Sequence, residues 1–148
     1  MKFFLSIIFV LFTYVETSST DNEIVWHTDF EDAKTVAKKE KKNILIYFTG
    51  SDWCSPCKKL KTDLFDTNDF KQISKKFTLL YVDIPRNHDL ISGDQMAHNK
   101  KLLSQFNKKG VFPLFKIVKS SEKIVDEYSG YSMNGDVSYH LDFFRKNQ

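Results

Sequence analysis

The chain is 148 residues long, 41% hydrophobic with 14 Phe, and carries a formal net charge of +3. That is apolar material for one core in one domain, and charged residues at 28% exclude both a disordered chain and a membrane-embedded one. The lysines are scattered among acids, which describes a solvated, mildly basic surface and not a nucleic-acid site.

Lys2 precedes a short apolar stretch that runs to Val15, and the small polar run Thr17-Ser18-Ser19-Thr20 follows it. This order predicts a secretory signal peptide over residues 1–19, cleaved near Thr17 to Thr20. An uncleaved membrane anchor is the alternative, but a spanning helix needs about 20 apolar residues and this stretch is shorter. No Cys lies near the cut to carry a lipid, and the final Arg145-Lys146-Asn147-Gln148 is not a retention signal. The expectation is a soluble domain over residues 20–148, exported to a periplasm or secreted.

Ile24-Val25-Trp26 reads as a short strand, and Phe30 to Lys42 as a helix with Phe30, Ala33, Val36 and Ala37 on one face. Asn43 to Phe48 is nearly continuous apolar sequence, the pattern of a buried strand. Thr49-Gly50-Ser51-Asp52 breaks it, and Trp53-Cys54-Ser55-Pro56-Cys57-Lys58 follows at once. Pro56 suits the first turn of a helix, where its missing N–H costs nothing, and that helix is predicted to continue to Leu64. Thr67 or Asn68 caps a helix over 69–76. Phe77 to Asp83 is a second buried strand, Pro85 to Gly93 a polar loop, and Gln95 to Phe106 a helix with Met96, Leu102, Leu103 and Phe106 inward, stopped by Gly110. Leu114–Val118 and Lys123–Tyr128 form a hairpin, and Asn134 to Lys146 a last helix with Val137, Leu141 and Phe144 on one face. Helix and strand alternate first and a hairpin plus helix closes the chain, which makes an α/β single domain around one central sheet.

Only two cysteines are present, Cys54 and Cys57. A bridge between them closes a minimal loop, worth about 2 kcal/mol in the chain-entropy model before strain is subtracted, so it is a poor staple. Structural zinc requires four ligands, and His27, His88, His98 and His140 show no compact pair at ligand spacing. A dithiol at the start of a helix is a coherent chemical device instead. A thiolate is the nucleophile of disulfide exchange, and helix N-terminal N–H groups stabilise an anion there. Cys54, first and beside the loop, is the expected attacking thiol. Cys57, one turn on and nearer the core, is the expected resolving thiol, with Trp53 shielding the pair.

At this point the run Ile44 to Leu60 resembles the strand–Trp-Cys-x-x-Cys-Lys–helix segment of the thioredoxin superfamily. The Gly50-Ser51-Asp52-Trp53 lead-in is similar to exported bacterial members, as are Val82 to Arg86 and Asn99 to Phe106. Val111-Phe112-Pro113 matches the family's cis-proline site, which implies that Pro113 faces the cysteines and that the Phe112 backbone meets bound substrate. Gly130-Tyr131 falls where the family has a Gly-led loop lining the substrate groove. The resemblance implies a thioredoxin fold, a mixed sheet flanked by helices. It implies a thiol–disulfide oxidoreductase with Cys54 and Cys57 catalytic and Trp53, Ser55, Pro56, Phe112, Pro113 and Gly130 binding substrate. No metal or organic cofactor is implied. The expected partners are protein disulfides and an electron donor such as a membrane-embedded thiol reductase, with the protein itself a monomer. A redox-inactive binding or chaperone-like module on the same fold is the rival reading.

Two departures from the family pattern stand out. The buried Asp that assists proton transfer in thioredoxin falls on Tyr47, which leaves Asp52 as the nearest carboxylate in sequence. The Thr common after the cis-proline is Leu114, which implies a more apolar groove. Ser55-Pro56 also lacks the His that stabilises the thiolate in strongly oxidising members. The Cys54–Cys57 couple is therefore expected nearer about −270 mV than about −120 mV, and a potential above about −180 mV in glutathione buffers would contradict this.

Overall fold

The computed structural model describes residues 23–148; the expected signal peptide over 1–19 and its cleavage point lie outside the described residues. Five strands form one sheet: β1 (Trp26–His27), β2 (Asn43–Thr49), β3 (Phe77–Asp83), β4 (Leu114–Val118) and β5 (Ile124–Ser129), in spatial order β1-β3-β2-β4-β5. β2 and β1 run parallel to β3, whereas β4 runs antiparallel to β2 and β5 antiparallel to β4. The helices are α1 (Phe30–Glu40), α2 (Ser55–Leu60), α3 (Asn68–Ser74), α4 (Gly93–Phe106) and α5 (Ser138–Lys146).

Alternation along β2 explains the two layers. Ile44, Ile46 and Phe48 point to one face, where Phe30, Ala33 and Ala37 of α1 and Leu102 and Phe106 of α4 complete a cluster. Leu45 and Tyr47 point to the other, against Leu60, Phe70, Leu141 and Phe144 of the remaining helices. Both faces of β2, β3 and β4 are covered, so these strands are mostly apolar and buried nearly throughout, Thr78, Asp83 and Lys116 included. β5 is an edge with one face wet and alternates accordingly. The expected α/β single domain with a mixed sheet between helices is what the chain forms.

The element ends differ where local hydrogen bonding overrides periodicity. The first strand is Trp26–His27, paired with Leu79 and Leu80, and not residues 24–26. α1 stops at Glu40 and not at Lys42 because Lys41 turns left-handed (φ 56°) and returns its N–H to the Ala37 carbonyl. The helix after the cysteines is α-helical only to Leu60; Lys61–Phe65 is a π-helical turn, closed by Asp66 N–H on the Lys61 carbonyl at 2.9 Å. α3 begins one residue earlier than predicted, capped by Thr67, and α4 two residues earlier, capped by Ser92. α5 begins at Ser138 and not at Asn134, because the Asn134 and Asp136 side chains accept the Asp136 and Ser138 N–H groups and hold that stretch as turns. No helix among the described residues is long and apolar enough to cross a membrane.

Candidate active site

β2 delivers the chain to the carboxyl end of the sheet, where Gly50 reverses it. The Cys54 N–H donates to the Gly50 carbonyl at 2.8 Å, and Trp53 folds its indole back over Gly50. A Cβ there would lie 2.2 Å from the indole, so only glycine admits this fold. The Trp53 Nε1–H donates to the Ile84 carbonyl at 2.8 Å, and the ring meets Phe112 edge-on at 5.1 Å between centroids.

Cys54 and Cys57 are joined, with an S–S distance of 2.01 Å and Cα atoms 5.2 Å apart. Cys54 occupies the N-cap of α2, and its Sγ accepts the Cys57 N–H at 3.3 Å. This is the arrangement that holds a thiolate in place once the pair is reduced. Cys54, expected beside the loop, and Cys57, expected nearer the core, are equally enclosed in this bonded form: both residues are 4% exposed, because the pair is part of the core cluster against which Trp53 and Phe112 pack. Ser55 is exposed and Pro56 half-buried in the first turn of α2.

Asn107 carries the other side of the site. Its amide accepts from the Val111 N–H at 3.0 Å and donates to the Val111 carbonyl at 2.8 Å, which clamps the turn leading to Phe112-Pro113. That peptide bond is cis. The Gly130 N–H donates to the Pro113 carbonyl at 3.0 Å, so the predicted residues form one connected set: Cys54–Trp53–Phe112–Pro113–Gly130. Tyr131 reaches across instead of facing the cysteines, donating its hydroxyl to Asp63 in the π-helical turn. Leu114 does not line this groove. It belongs to the cluster of Phe48 and Phe106 on the opposite face of the sheet, because β4 alternates, with Leu114 and Val118 on that face and Phe115 and Ile117 on the other.

The missing carboxylate is replaced by hydroxyls. The Tyr47 O–H donates to the Cys57 carbonyl at 3.3 Å and pins α2 to the sheet. Its register partner is Tyr81, and Thr49 stands two residues on along the same face of β2. Burial raises both phenols, Tyr81 to about 12, so neither is a base near neutral pH. These three residues and Cys57 line an open cleft of about 700 Å³. Asp52 is not a substitute for the carboxylate. It accepts the Arg86 and Asn87 N–H groups at 3.0 and 2.8 Å, bonds that hold its pKa below the usual carboxylate range. Sequence reading missed Asp83, a buried carboxylate at the end of β3 that accepts the Ser51 N–H and hydroxyl at 2.9 and 2.5 Å. Its strand-end position was the available signal. His140 was also missed as a site neighbour: it is buried among Phe115, Tyr128 and Tyr131, and its Nε2 bonds to the Gly130 carbonyl at 3.1 Å. No cluster of metal-binding side chains occurs among the described residues.

A five-stranded mixed sheet carrying a Cys-x-x-Cys pair at a helix start, beside a cis-proline, defines a thioredoxin-fold protein with a redox-type cysteine site. Residues 25–119 match the Thioredoxin-like family model, and the chain belongs to that family. It is 29% identical over 86 residues to the thioredoxin-related protein DsbJ of Chlamydia pneumoniae, covering 57% of this chain and 24% of DsbJ. It is 28% identical over 112 residues to the disulfide bond reductase DsbH of the same organism, covering 74% of this chain and 65% of DsbH. The chain thus spans less than two thirds of either relative. A solved DsbH oxidoreductase superposes with a TM-score of 0.71 at 25% identity, covering 85% of this chain and 87% of that one.

Two outcomes follow from the geometry. Gly50→Ala must displace the indole, and is expected to cost about 1–3 kcal/mol in urea unfolding and to change the tryptophan emission. An unaltered midpoint and spectrum would refute the close packing. Burial depresses the His140 pKa below its ordinary 6.5, partly opposed by the Gly130 carbonyl and by Asp136. The unfolded chain therefore binds this proton first, so the contribution is complete above about pH 6.5 and declines as pH falls toward the lower folded value. His140→Gln should flatten the stability profile between about pH 5 and 7; an unchanged slope would exclude His140 as its source.

Proposed function

We propose that this protein is a thiol–disulfide oxidoreductase acting as a reductase of protein disulfides outside the cytoplasm. The observation that carries the reading is Cys54 at the N-cap of α2 with the Cys57 N–H on its sulfur, next to Trp53 and Phe112-Pro113. The two Chlamydia relatives, one described as a disulfide bond reductase, support the direction. The basic, apolar, small-polar order of residues 1–20 supports export.

The reduced Cys54 thiolate attacks one sulfur of a substrate disulfide, the substrate S–S bond breaks, and the departing thiolate takes a proton from solvent. Cys57 then loses its proton to water in the adjoining cleft, and its thiolate attacks Cys54 Sγ. The Cys54–Cys57 bond forms as the second substrate thiol leaves. Two electrons pass from dithiol to substrate, and a thiol donor must return them. Trp53, Phe112, Pro113 and Gly130 hold the substrate segment, while Ser55 and Pro56 form the exposed lip beside Cys54.

Cys54→Ser should lower the reduction of a disulfide-linked peptide to the uncatalysed rate, and Cys57→Ser should accumulate a mixed disulfide on Cys54 visible by mass spectrometry. Turnover that survives Cys54→Ser would overturn the proposal. Binding of partners by a wild-type protein without turnover would favour the redox-inactive binding module.

A further inference from the structure

Arg86 lies over Trp53, the residue before Cys54, and its guanidinium has no ion-pair partner among the described residues. The exposed guanidinium lies over the Trp53 ring, its Cζ 4.8 Å from the centroid. Asp52, the nearest acid in sequence to the cysteines, spends its carboxylate on the Arg86 and Asn87 backbone N–H groups instead of on the guanidinium. Asp83 is likewise occupied by Ser51. Among the described residues Arg86 makes no ion pair, and neither does Lys58, whose Nζ donates to the Asp52 carbonyl at 2.8 Å. The result is a layered surface, Arg86 on Trp53 and Trp53 against Phe112, next in sequence to Cys54, with Arg86 and Lys58 both outside any ion pair and Lys58 bonded to the Asp52 carbonyl.

We infer that Arg86 reads the substrate: the preferred occupant is a peptide segment with an Asp or Glu next to its disulfide cysteine, the carboxylate seated on the guanidinium. A planar guanidinium held on an indole keeps its N–H fork ordered, and a carboxylate is the side chain that fork matches. The ring already satisfies one face by cation–π contact, so the donor edge is what faces a partner. Phe112 offers the apolar portion of the same segment a flat surface. A lysine at that position would meet Arg86 and Lys58 together and be repelled, which makes the surface selective as well as attractive. This inference rests on the oxidoreductase reading above.

The test uses three disulfide-linked peptide homodimers, identical except for Glu, Gln or Lys next to the cysteine. Their reaction rates with the reduced protein are each normalised to the rate with dithiothreitol. The Glu peptide should react about fivefold or more faster than the Lys peptide at low ionic strength, and the ratio should shrink with added salt. Arg86→Gln should bring the ratio close to one, and Arg86→Lys should restore part of it. A wild-type ratio near one, or a ratio unchanged in Arg86→Gln, would overturn the inference while leaving the oxidoreductase reading intact. If none of the three peptides reacts, both fall.

Discussion

Everything at the carboxyl end of the sheet depends on where the Trp53 indole lies. Its underside rests on Gly50, its N–H is taken by the Ile84 carbonyl, its edge meets Phe112, and its open face carries Arg86. One side chain therefore ties the cysteine turn to the loop after β3 and to the cis-proline turn before β4. These three segments are far apart in sequence, and the indole adds a common contact to the Asp52–Arg86 and Ser51–Asp83 hydrogen bonds and the β2–β4 pairing. The constraint begins with an absence: a side chain at position 50 would remove the seat, and with it the register of Cys54 against Phe112-Pro113.

Beneath the pair, the cleft presents phenols beside Cys57, with Lys58, Lys61 and Asp66 also on its walls. Tyr47, Tyr81 and Thr49 supply hydroxyls where thioredoxin has a carboxylate, and burial raises both phenols well above neutral pH. A buried carboxylate would titrate alongside the resolving thiol and make the two pKa values interdependent. Tyr47 instead fixes the Cys57 backbone through its carbonyl. Asp83 is set one step away, tied down by Ser51, where it braces the Gly50–Asp52 turn.

The strands, the cysteine helix and the proline turn were legible because each leaves a local signature: continuous apolar runs for strands covered on both faces, and Pro56 just inside a helix start. The π-helical turn at Lys61–Phe65 was not, since its hydrogen bond from Asp66 N–H back five residues to the Lys61 carbonyl leaves no mark on composition. Asn134 to Val137 looked helical by apolar spacing, yet short polar side chains captured the backbone N–H groups first. Leu114 was assigned to the groove by its place in the sequence after Pro113. Strand alternation, which governs it once β4 begins, sends it to the other face. Arg86 and Asp83 were invisible as site residues because the contacts that bring them to Trp53 and Ser51 span more than thirty positions.

The proposed reaction requires Cys54 to be the activated sulfur and Cys57 the protected one, a difference that the bonded form does not show in exposure. Pulse alkylation of the reduced protein at neutral pH, with less reagent than thiol and the label located by mass spectrometry, measures it directly. The account predicts label on Cys54, with Cys57 modified only after unfolding. Equal labelling, or Cys57 modified first, would contradict it.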